Sequence, residues 1–195
     1  MPTTNLKYSS HKNELLFRNR RILIFLIFIG IFSLSYSIGS QSKLSDEESK
    51  SFLKEFQKVV EGIDAIGIFE HNTSVALPMF IPGFGLAWGA FAAWSTGVAF
   101  GALVTTTPAL AKIPPLALLY LSPFGVMELV AYSLGMSRSF LLINAIIRRK
   151  PLKNELRQTG IEIGIALALL LAGGFIEYSM IQQFGSTVSH LKSSL

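Results

Sequence analysis

The chain has 195 residues, of which 50% are hydrophobic and only 15% are charged, and it contains no cysteine. Soluble domains carry about 25% charged residues, so this composition, with its charges gathered in short blocks between long apolar stretches, indicates an integral membrane protein. The lack of cysteine excludes disulfides, thiolate metal sites and a cysteine nucleophile. The three histidines lie far apart, so we expect no metal site, and the distribution of the net charge of +5 indicates membrane topology rather than a nucleic-acid partner.

The first predicted span covers residues 22–39, an uncharged run of 18 residues. At 1.5 Å per residue this is about the minimum length that crosses a bilayer core of ~30 Å. Five Lys or Arg residues precede it, and the positive-inside rule therefore predicts a cytoplasmic N-terminus. A cleaved signal peptide, with a small-x-small site at 37–39, is the alternative. The basic region before the span is long for a signal peptide, and a retained anchor is favoured.

Residues 40–64 form a polar segment that we predict to be an external amphipathic helix. Ser45 and Glu48 have the spacing of a capping box at its start. An apolar stripe at helical spacing follows, made of Phe52, Phe56, Val59, Val60 and Ile63. This stripe either lies against the bilayer or the outer face of the protein, or forms a docking face for a partner.

Residues 65–104 are nearly uncharged, too long for one span and long enough for two short ones. Pro82 and Gly83, followed by Gly85, are the strongest turn signal in this stretch. The pattern predicts one span at 65–81 and another at 84–104.

The next apolar run, residues 116–147, is interrupted by Ser122-Pro123-Phe124-Gly125. We read Pro123 and Gly125 as a helix break between a short re-entrant half-helix at 116–121 and a full span at 124–147. Irregular backbone at membrane depth must be covered by protein or line a wet cavity. The last span is predicted at 160–182.

Between these last two spans, residues 148–157 carry five Lys or Arg and should be cytoplasmic. An even number of crossings must then precede them, which predicts five spans with an external C-terminus. The predicted fold is therefore an all-α membrane protein with about five transmembrane helices, a re-entrant half-helix and an outer amphipathic helix. Its predicted segments are a cytoplasmic N-terminus with the first helix (1–39), the external helix (40–64), a four-helix membrane core (65–185) and an external tail (186–195).

Two spans carry small residues at every fourth position, which lets helix backbones approach closely in lipid. The third span has Gly85, Gly89, Ala93, Gly97 and Gly101. The fifth has Gly160, Gly164, Ala168 and Ala172. We predict that both faces are helix-packing seams.

Ionisable residues are costly within a span and usually face the interior of a bundle. The predicted topology puts Asn72, Glu128 and Glu177 at similar depth near the outer leaflet. They either line one polar pocket that opens outward, or each reaches the headgroups separately. Arg138 lies near mid-span with no partner evident from the sequence, and Glu162 suits the N-terminus of its helix, where a carboxylate complements the helix dipole.

The order of several motifs resembles the stage II sporulation protein M family of multi-pass membrane proteins. The resemblance covers about residues 52–180 and runs through Asn72 within Phe-Glu-His-Asn, the Pro-Gly-Phe-Gly at 82–85, and the Gly-x-x-x-Gly at 97–101. The segment 122–129, Ser-Pro-Phe-Gly-Val-Met-Glu-Leu, is similar to the Pro-His-Gly-x-x-Glu segment of the family, and Glu177 fits a glutamate near the end of the last span. This chain has Phe124 in place of the usual histidine and Thr96 where an asparagine is common.

The resemblance implies an integral membrane protein without known catalytic activity. In spore-forming bacteria, members act as a membrane scaffold in a complex with cell-wall-degrading proteins, and the family also occurs widely in organisms that do not sporulate. The resulting hypothesis is a multi-pass scaffold of the cell membrane, with no cofactor, in contact with membrane lipid and with a protein partner or a second copy of the chain. The alternative is a small transporter or lipid-handling protein with an outward-facing polar pocket. The residues match no catalytic motif, and an intramembrane enzyme using the two carboxylates is the weakest reading.

Overall fold

The computed structural model describes residues 3–42, 44–45, 47–51, 54, 62–106 and 112–193. This part of the chain contains helices and turns and no strand, which confirms the predicted all-α class. In chain order the helices are α1 (Thr3–Ser40), α2 (Ala65–Ala76), a 3₁₀ helix (Leu77–Phe80), α3 (Phe84–Thr106), α4 (Pro115–Leu121), α5 (Pro123–Ile147) and α6 (Lys153–Ser193).

Four of these helices are long and apolar enough to cross a membrane, over residues 19–40, 84–105, 123–147 and 153–183. They coincide with four of the five predicted spans. The first and last helices run further than expected, since α1 begins at Thr3 and α6 continues to Ser193 through the predicted tail. Neither extension contains a proline, so nothing in the local sequence forces the helix to stop.

The start of the external segment agrees with the predicted capping box. The Ser45 backbone N–H donates to the Glu48 carboxylate over 2.9 Å, and the Glu48 N–H donates to the Ser45 hydroxyl over 3.3 Å. The Ser45 backbone bond foremost, and then a bond that the Ser45 hydroxyl donates to the same carboxylate over 2.8 Å, hold the pKa of the exposed Glu48 carboxyl below its ordinary value. Of the predicted apolar stripe only Ile63 is among the described residues; Phe52, Phe56, Val59 and Val60 lie outside them.

The remaining predicted span, residues 65–81, forms α2 and the 3₁₀ helix. Asp64 caps its start by accepting a hydrogen bond from the Gly67 N–H over 2.8 Å. The 16 helical residues extend about 26 Å, because a 3₁₀ helix rises ~2.0 Å per residue against 1.5 Å in an α-helix. A turn through Gly83, whose φ of 76° suits glycine, then reverses the chain into α3.

This short segment lies along α5 over most of its length. Asn72 is bonded to Glu128 near the start of α5, and the Ile81 carbonyl accepts a hydrogen bond from the Ser139 hydroxyl over 2.6 Å. Gly83 lies beside Ile143, close to the end of α5. From residue 128 to residue 143 a helix rises about 22 Å. The segment therefore descends from one end of the bundle almost to the other.

The small-residue face of α3 packs against other parts of the chain. A side chain at Gly85 would collide with the Met79 carbonyl, and one at Gly89 with the Met136 side chain. Further along α3, Gly97 and Gly101 lie against the backbone of α1 at Tyr36 and Ser40. Gly85 and Gly89 thus allow the first half of α3 to approach the 3₁₀ helix and α5, and Gly97 and Gly101 allow its second half to approach α1.

The corresponding face of α6 makes no such contacts. Neither Gly160 nor Gly164 has any atom of another part of the described chain within 4 Å of the position that a Cβ would take. Ala168 and Ala172 are exposed as well. The predicted seam on α6 is therefore not an internal one, and α6 packs on α2 and α5 through its other side, which includes Ala166, Leu170, Gly173 and Gly174.

The two glycine faces should respond differently to an added methyl group. Gly97→Ala should lower the free energy of unfolding by about 1–3 kcal/mol, because the new Cβ meets backbone atoms of α1 that cannot rotate away. Gly164→Ala should leave it unchanged or raise it by up to about 1 kcal/mol through helix propensity. Reversible unfolding in mixed micelles measures both; equal losses in the two variants would contradict the assignment of the faces.

Candidate functional site

Polar side chains gather at two levels of the bundle, and α5 contributes to both. Glu128 and Arg138 are ten residues apart on α5, a rise of about 15 Å. The group around Glu128, made of Asn72, Glu128, Tyr132 and Glu177, is called the carboxylate cluster below. The group around Arg138, made of Arg21, Ser137, Arg138, Glu155 and Glu162, is called the arginine network.

The carboxylate cluster joins three helices. The Asn72 side-chain amide donates to Glu128 Oε1 over 2.8 Å, and Asn72 is 92% buried, with 8% of its surface exposed. Glu177 on α6 lies close enough to Glu128 to interact with it electrostatically. The structure therefore joins Asn72 to Glu128 directly, and that Glu177 shares one pocket with them stays a prediction.

Two glycines of α6 allow this close approach. A Cβ on Gly174 would lie 2.9 Å from the Ala65 carbonyl oxygen, so a larger residue would push α2 away. A Cβ on Gly173 would meet the Met127 side chain at 3.7 Å, an ordinary contact distance. Glu177 follows these glycines by about one helical turn on α6.

Tyr132 is the member of the cluster that sequence reasoning missed. It follows Glu128 by four residues, on the same face of α5, and only 8% of it is exposed. Its ring stacks on Phe32 of α1 at a centroid distance of 5.6 Å, and it interacts electrostatically with both Glu128 and Glu177. The spacing of four residues between Glu128 and Tyr132 could have indicated that the two side chains are neighbours, but a tyrosine in an apolar helix is ordinarily a packing residue.

The helix break that precedes Glu128 has a local cause. Ser122 is extended, and its hydroxyl accepts a hydrogen bond from the Gly125 N–H over 3.1 Å, capping α5. Pro123 takes the first helical position, where its missing N–H costs nothing. On the other side of the break, the Tyr120 hydroxyl of α4 bonds the Ser33 hydroxyl of α1 at 2.6 Å. That α4 enters and leaves the bilayer from one side stays a prediction.

The arginine network is centred on Glu162 of α6. Arg21 of α1 donates to both of its carboxylate oxygens, from Nε over 3.0 Å and from Nη2 over 2.7 Å. Arg138 of α5 also donates to both oxygens, through Nε over 2.9 Å and through Nη2. One carboxylate is thus held in bidentate fashion by two guanidinium groups.

Two further bonds complete the network. Arg138 Nη1 donates to Glu155 over 2.9 Å, and Arg21 Nη1 donates to the Ser137 hydroxyl over 2.8 Å. Two arginines therefore balance two glutamates, and α1, α5 and α6 are joined at this level. From the sequence alone, Glu162 is expected to complement the helix dipole at the start of its helix, and no partner for Arg138 is evident. Arg21 and Glu162 are 141 positions apart, so no local pattern connects them.

The two groups differ in what they can do chemically. The arginine network is internally neutral and hydrogen-bonded, which suits a structural role. The carboxylate cluster offers acidic oxygens, an amide and a phenol. Among the described residues no three His, Cys, Asp or Glu side chains are arranged so that they could hold a metal ion.

The fold and these two levels of ionisable residues define a polytopic α-helical membrane protein. The model of the family described as stage II sporulation protein M matches residues 22–178. The chain belongs to this family, and the match begins at the first apolar helix, earlier than the motifs that carry the resemblance in the sequence. No curated protein and no solved structure matches the chain.

The arginine network should dominate the stability of the bundle. Glu162→Gln leaves the buried Arg138 and the half-buried Arg21 short of a counter-charge, and removing one partner of a buried ion pair costs about 3–5 kcal/mol. Glu155→Gln is the control, because the Glu155 side chain is 35% exposed and pairs of this kind contribute about 0–1 kcal/mol. Unfolding in mixed micelles should separate the two variants clearly; similar losses would contradict the central position of Glu162.

Proposed function

We propose that the protein is a non-catalytic scaffold of the cell membrane that holds other protein chains against the exposed face of α6. The observation that carries this proposal is the unequal use of the two small-residue faces. The small residues of α3 pack against other helices of the same chain, whereas Gly160 and Gly164 on α6 contact nothing in the described chain. Small residues at every fourth position are a common surface for helix association in lipid. The scaffold role of family members in spore-forming bacteria agrees with this proposal.

The proposed topology has five crossings, with the N-terminus in the cytoplasm and the C-terminus outside. The path of α2 and the 3₁₀ helix along α5 supports the fifth crossing, although this segment is shorter than the other four spans. Arg21 is bonded to Glu162 near the start of α6, at the end of the bundle where residues 148–157 carry five Lys or Arg. The positive-inside rule assigns this end to the cytoplasm.

We further propose that α1 is retained and not cleaved as a signal peptide. Arg21 belongs to the arginine network, and Ile24, Phe28, Phe32 and Tyr36 are buried against the rest of the bundle. Removal of residues 1–39 would leave Glu162 with one arginine and would open the face of α3 that packs on α1. A dispensable leader would make no such contacts.

Single-cysteine labelling tests the fifth crossing, since the natural chain has no cysteine. Asp64→Cys should react with an impermeant maleimide added to intact cells. Pro82→Cys, in the exposed turn at the other end of the segment, should react only after the cells are permeabilised. Labelling of both positions from the same side would show that residues 65–81 do not cross.

The scaffold proposal predicts that a bulky residue on the α6 face releases the partner without unfolding the protein. In mild, lipid-retaining extraction followed by quantitative mass spectrometry, Gly164→Leu should reduce stoichiometric partners, or a second copy of the chain, by about tenfold or more, equivalent to ~1.4 kcal/mol. Gly30→Leu is the matched control, because Gly30 on α1 also has open space around it. A wild-type protein that is recovered alone would contradict the scaffold role.

A transporter or lipid-handling protein is the second candidate. It is favoured by the carboxylate cluster, which lies just beyond a helix break, because interrupted helices often mark substrate sites in transporters. This candidate requires that neutral substitutions of Glu128 and Glu177 alter the movement of a solute or lipid. Unchanged movement in both variants would reject it.

A further inference from the structure

The connection between α5 and α6 carries positive charges that no carboxylate neutralises. Residues 147–157, called the basic hairpin below, contain five Lys or Arg and a single acid, Glu155. Glu155 is bonded to Arg138 over 2.9 Å and therefore belongs to the arginine network. All five basic residues are exposed, and none of them forms an ion pair with a described residue. They are Arg148, Arg149, Lys150, Lys153 and Arg157.

Two large apolar side chains are exposed among these charges. Ile147, the last residue of α5, is 73% exposed, and Leu156, in the first turn of α6, is 59% exposed. Exposed apolar side chains that are surrounded by polar ones mark surfaces that contact a membrane or another protein. A ligand that fits the hairpin therefore has both a negative charge and an apolar part.

The length of α5 places the basic hairpin in the headgroup layer of the bilayer. The 25 residues of α5 extend about 38 Å, whereas the hydrocarbon core is ~30 Å thick and each headgroup layer adds ~5–8 Å. The end of α5 therefore passes into the layer that contains the lipid phosphates. Clusters of four to eight basic residues next to a membrane span attract anionic lipids.

The turn that ends α5 adds an independent observation. Arg149 has a φ of 51°, a left-handed conformation that no other non-glycine residue of the described chain adopts. The Lys150 N–H donates to the Ala145 carbonyl and the Arg149 N–H to the Ile146 carbonyl, each over 3.0 Å. This is the Schellman pattern, in which glycine usually occupies the left-handed position because other residues adopt it at a cost. Folding alone would favour glycine at position 149, and what the arginine adds is an exposed charge.

We propose that the basic hairpin binds the headgroup phosphates of anionic phospholipids, with Arg149 as a principal contact and with Ile147 and Leu156 against the acyl chains. A guanidinium group donates two parallel hydrogen bonds to a phosphate, and a lysine supplies a compact charge. A soluble polyanion would use the same charges, but it would leave Ile147 and Leu156 in water.

This proposal goes beyond the scaffold role, because it assigns a class of ligand to one connection of the bundle. Its test measures the lipids beside the hairpin and uses no protein partner. Failure of the lipid site and failure of the proposed function are therefore distinguishable.

The experiment measures energy transfer from the hairpin to labelled lipids in bilayers of phosphatidylcholine. The full chain carries a donor fluorophore on Asn154→Cys, an exposed position of the hairpin, since the natural chain has no other cysteine to label. The bilayers contain a small amount of phosphatidylglycerol with an acceptor on its acyl chain, or in a parallel sample phosphatidylcholine with the same acceptor. The ratio of the two transfer efficiencies reports the enrichment of the anionic lipid beside the hairpin.

Phosphatidylglycerol should be enriched about tenfold in 0.1 M salt. The enrichment should largely vanish in 1 M salt, because the Debye length falls from ~10 Å to ~3 Å. Equal transfer to the two lipids in 0.1 M salt, or an enrichment that persists in 1 M salt, overturns the proposal.

Arg149→Gly separates lipid binding from folding. It should lower the enrichment about fivefold, equivalent to the ~1 kcal/mol that one basic residue contributes near an anionic surface. Its Tm in the same bilayers should be unchanged or higher, because glycine adopts the left-handed turn without strain. Arg149→Lys, which keeps the charge in the same turn, should retain most of the enrichment. Lys112→Gln, which removes an exposed cation outside the hairpin, is the matched control and should change nothing.

An Arg149→Gly variant that keeps the full enrichment overturns the proposal, as does an equal loss in Lys112→Gln. Polyglutamate and polyuridylate are added to the wild-type hairpin in bilayers that contain the labelled phosphatidylglycerol. Complete displacement of that lipid at an equal concentration of charge would assign the hairpin to a soluble acidic partner and would also overturn the proposal. Retention of the lipid supports it.

Discussion

Three of the four long helices, α1, α5 and α6, are joined by one carboxylate, that of Glu162. Its two oxygens are shared between Arg21 of α1 and Arg138 of α5, and each of these charges would be expensive at this depth without the others. The pairing sets the relative depth of three helices that are separated widely in sequence. The first helix is thereby part of the bundle, and the positions of Glu128 and Glu177 further along the same helices follow from it.

At the other level of α5 the balance of charge is different. Asn72, Glu128, Tyr132 and Glu177 converge from three helices without an ion pair among the described residues. The capped break at Ser122 starts α5 just above them, and the glycines of α6 let α2 approach. One end of the bundle is therefore closed by internal charge pairing, while Glu128 and Glu177 at the other end form no ion pair with a described residue.

The two small-residue faces differ in what surrounds them. The glycines of α3 meet backbone atoms of α1 and of the 3₁₀ helix, and without them the core could not close. Gly160 and Gly164 on α6 have the same spacing but face away from the bundle. The proposed scaffold role would use both surfaces, the α3 face for packing within the chain and the α6 face for contact with another helix.

The sequence by itself determined the features that depend on neighbouring residues. Apolar length and charge blocks located the four long spans, the Ser122-Pro123 signal located the start of α5, and Ser45 with Glu48 located a helix start. The similar depth of Asn72 and Glu128 followed from counting residues along helices. Only the tertiary structure decided that Glu162 pairs with Arg21 and Arg138, that Tyr132 joins the cluster, and that one glycine face is internal and the other is not. These outcomes depend on the rotation and depth of each helix relative to the others, which the packing of the whole bundle sets and no local pattern encodes.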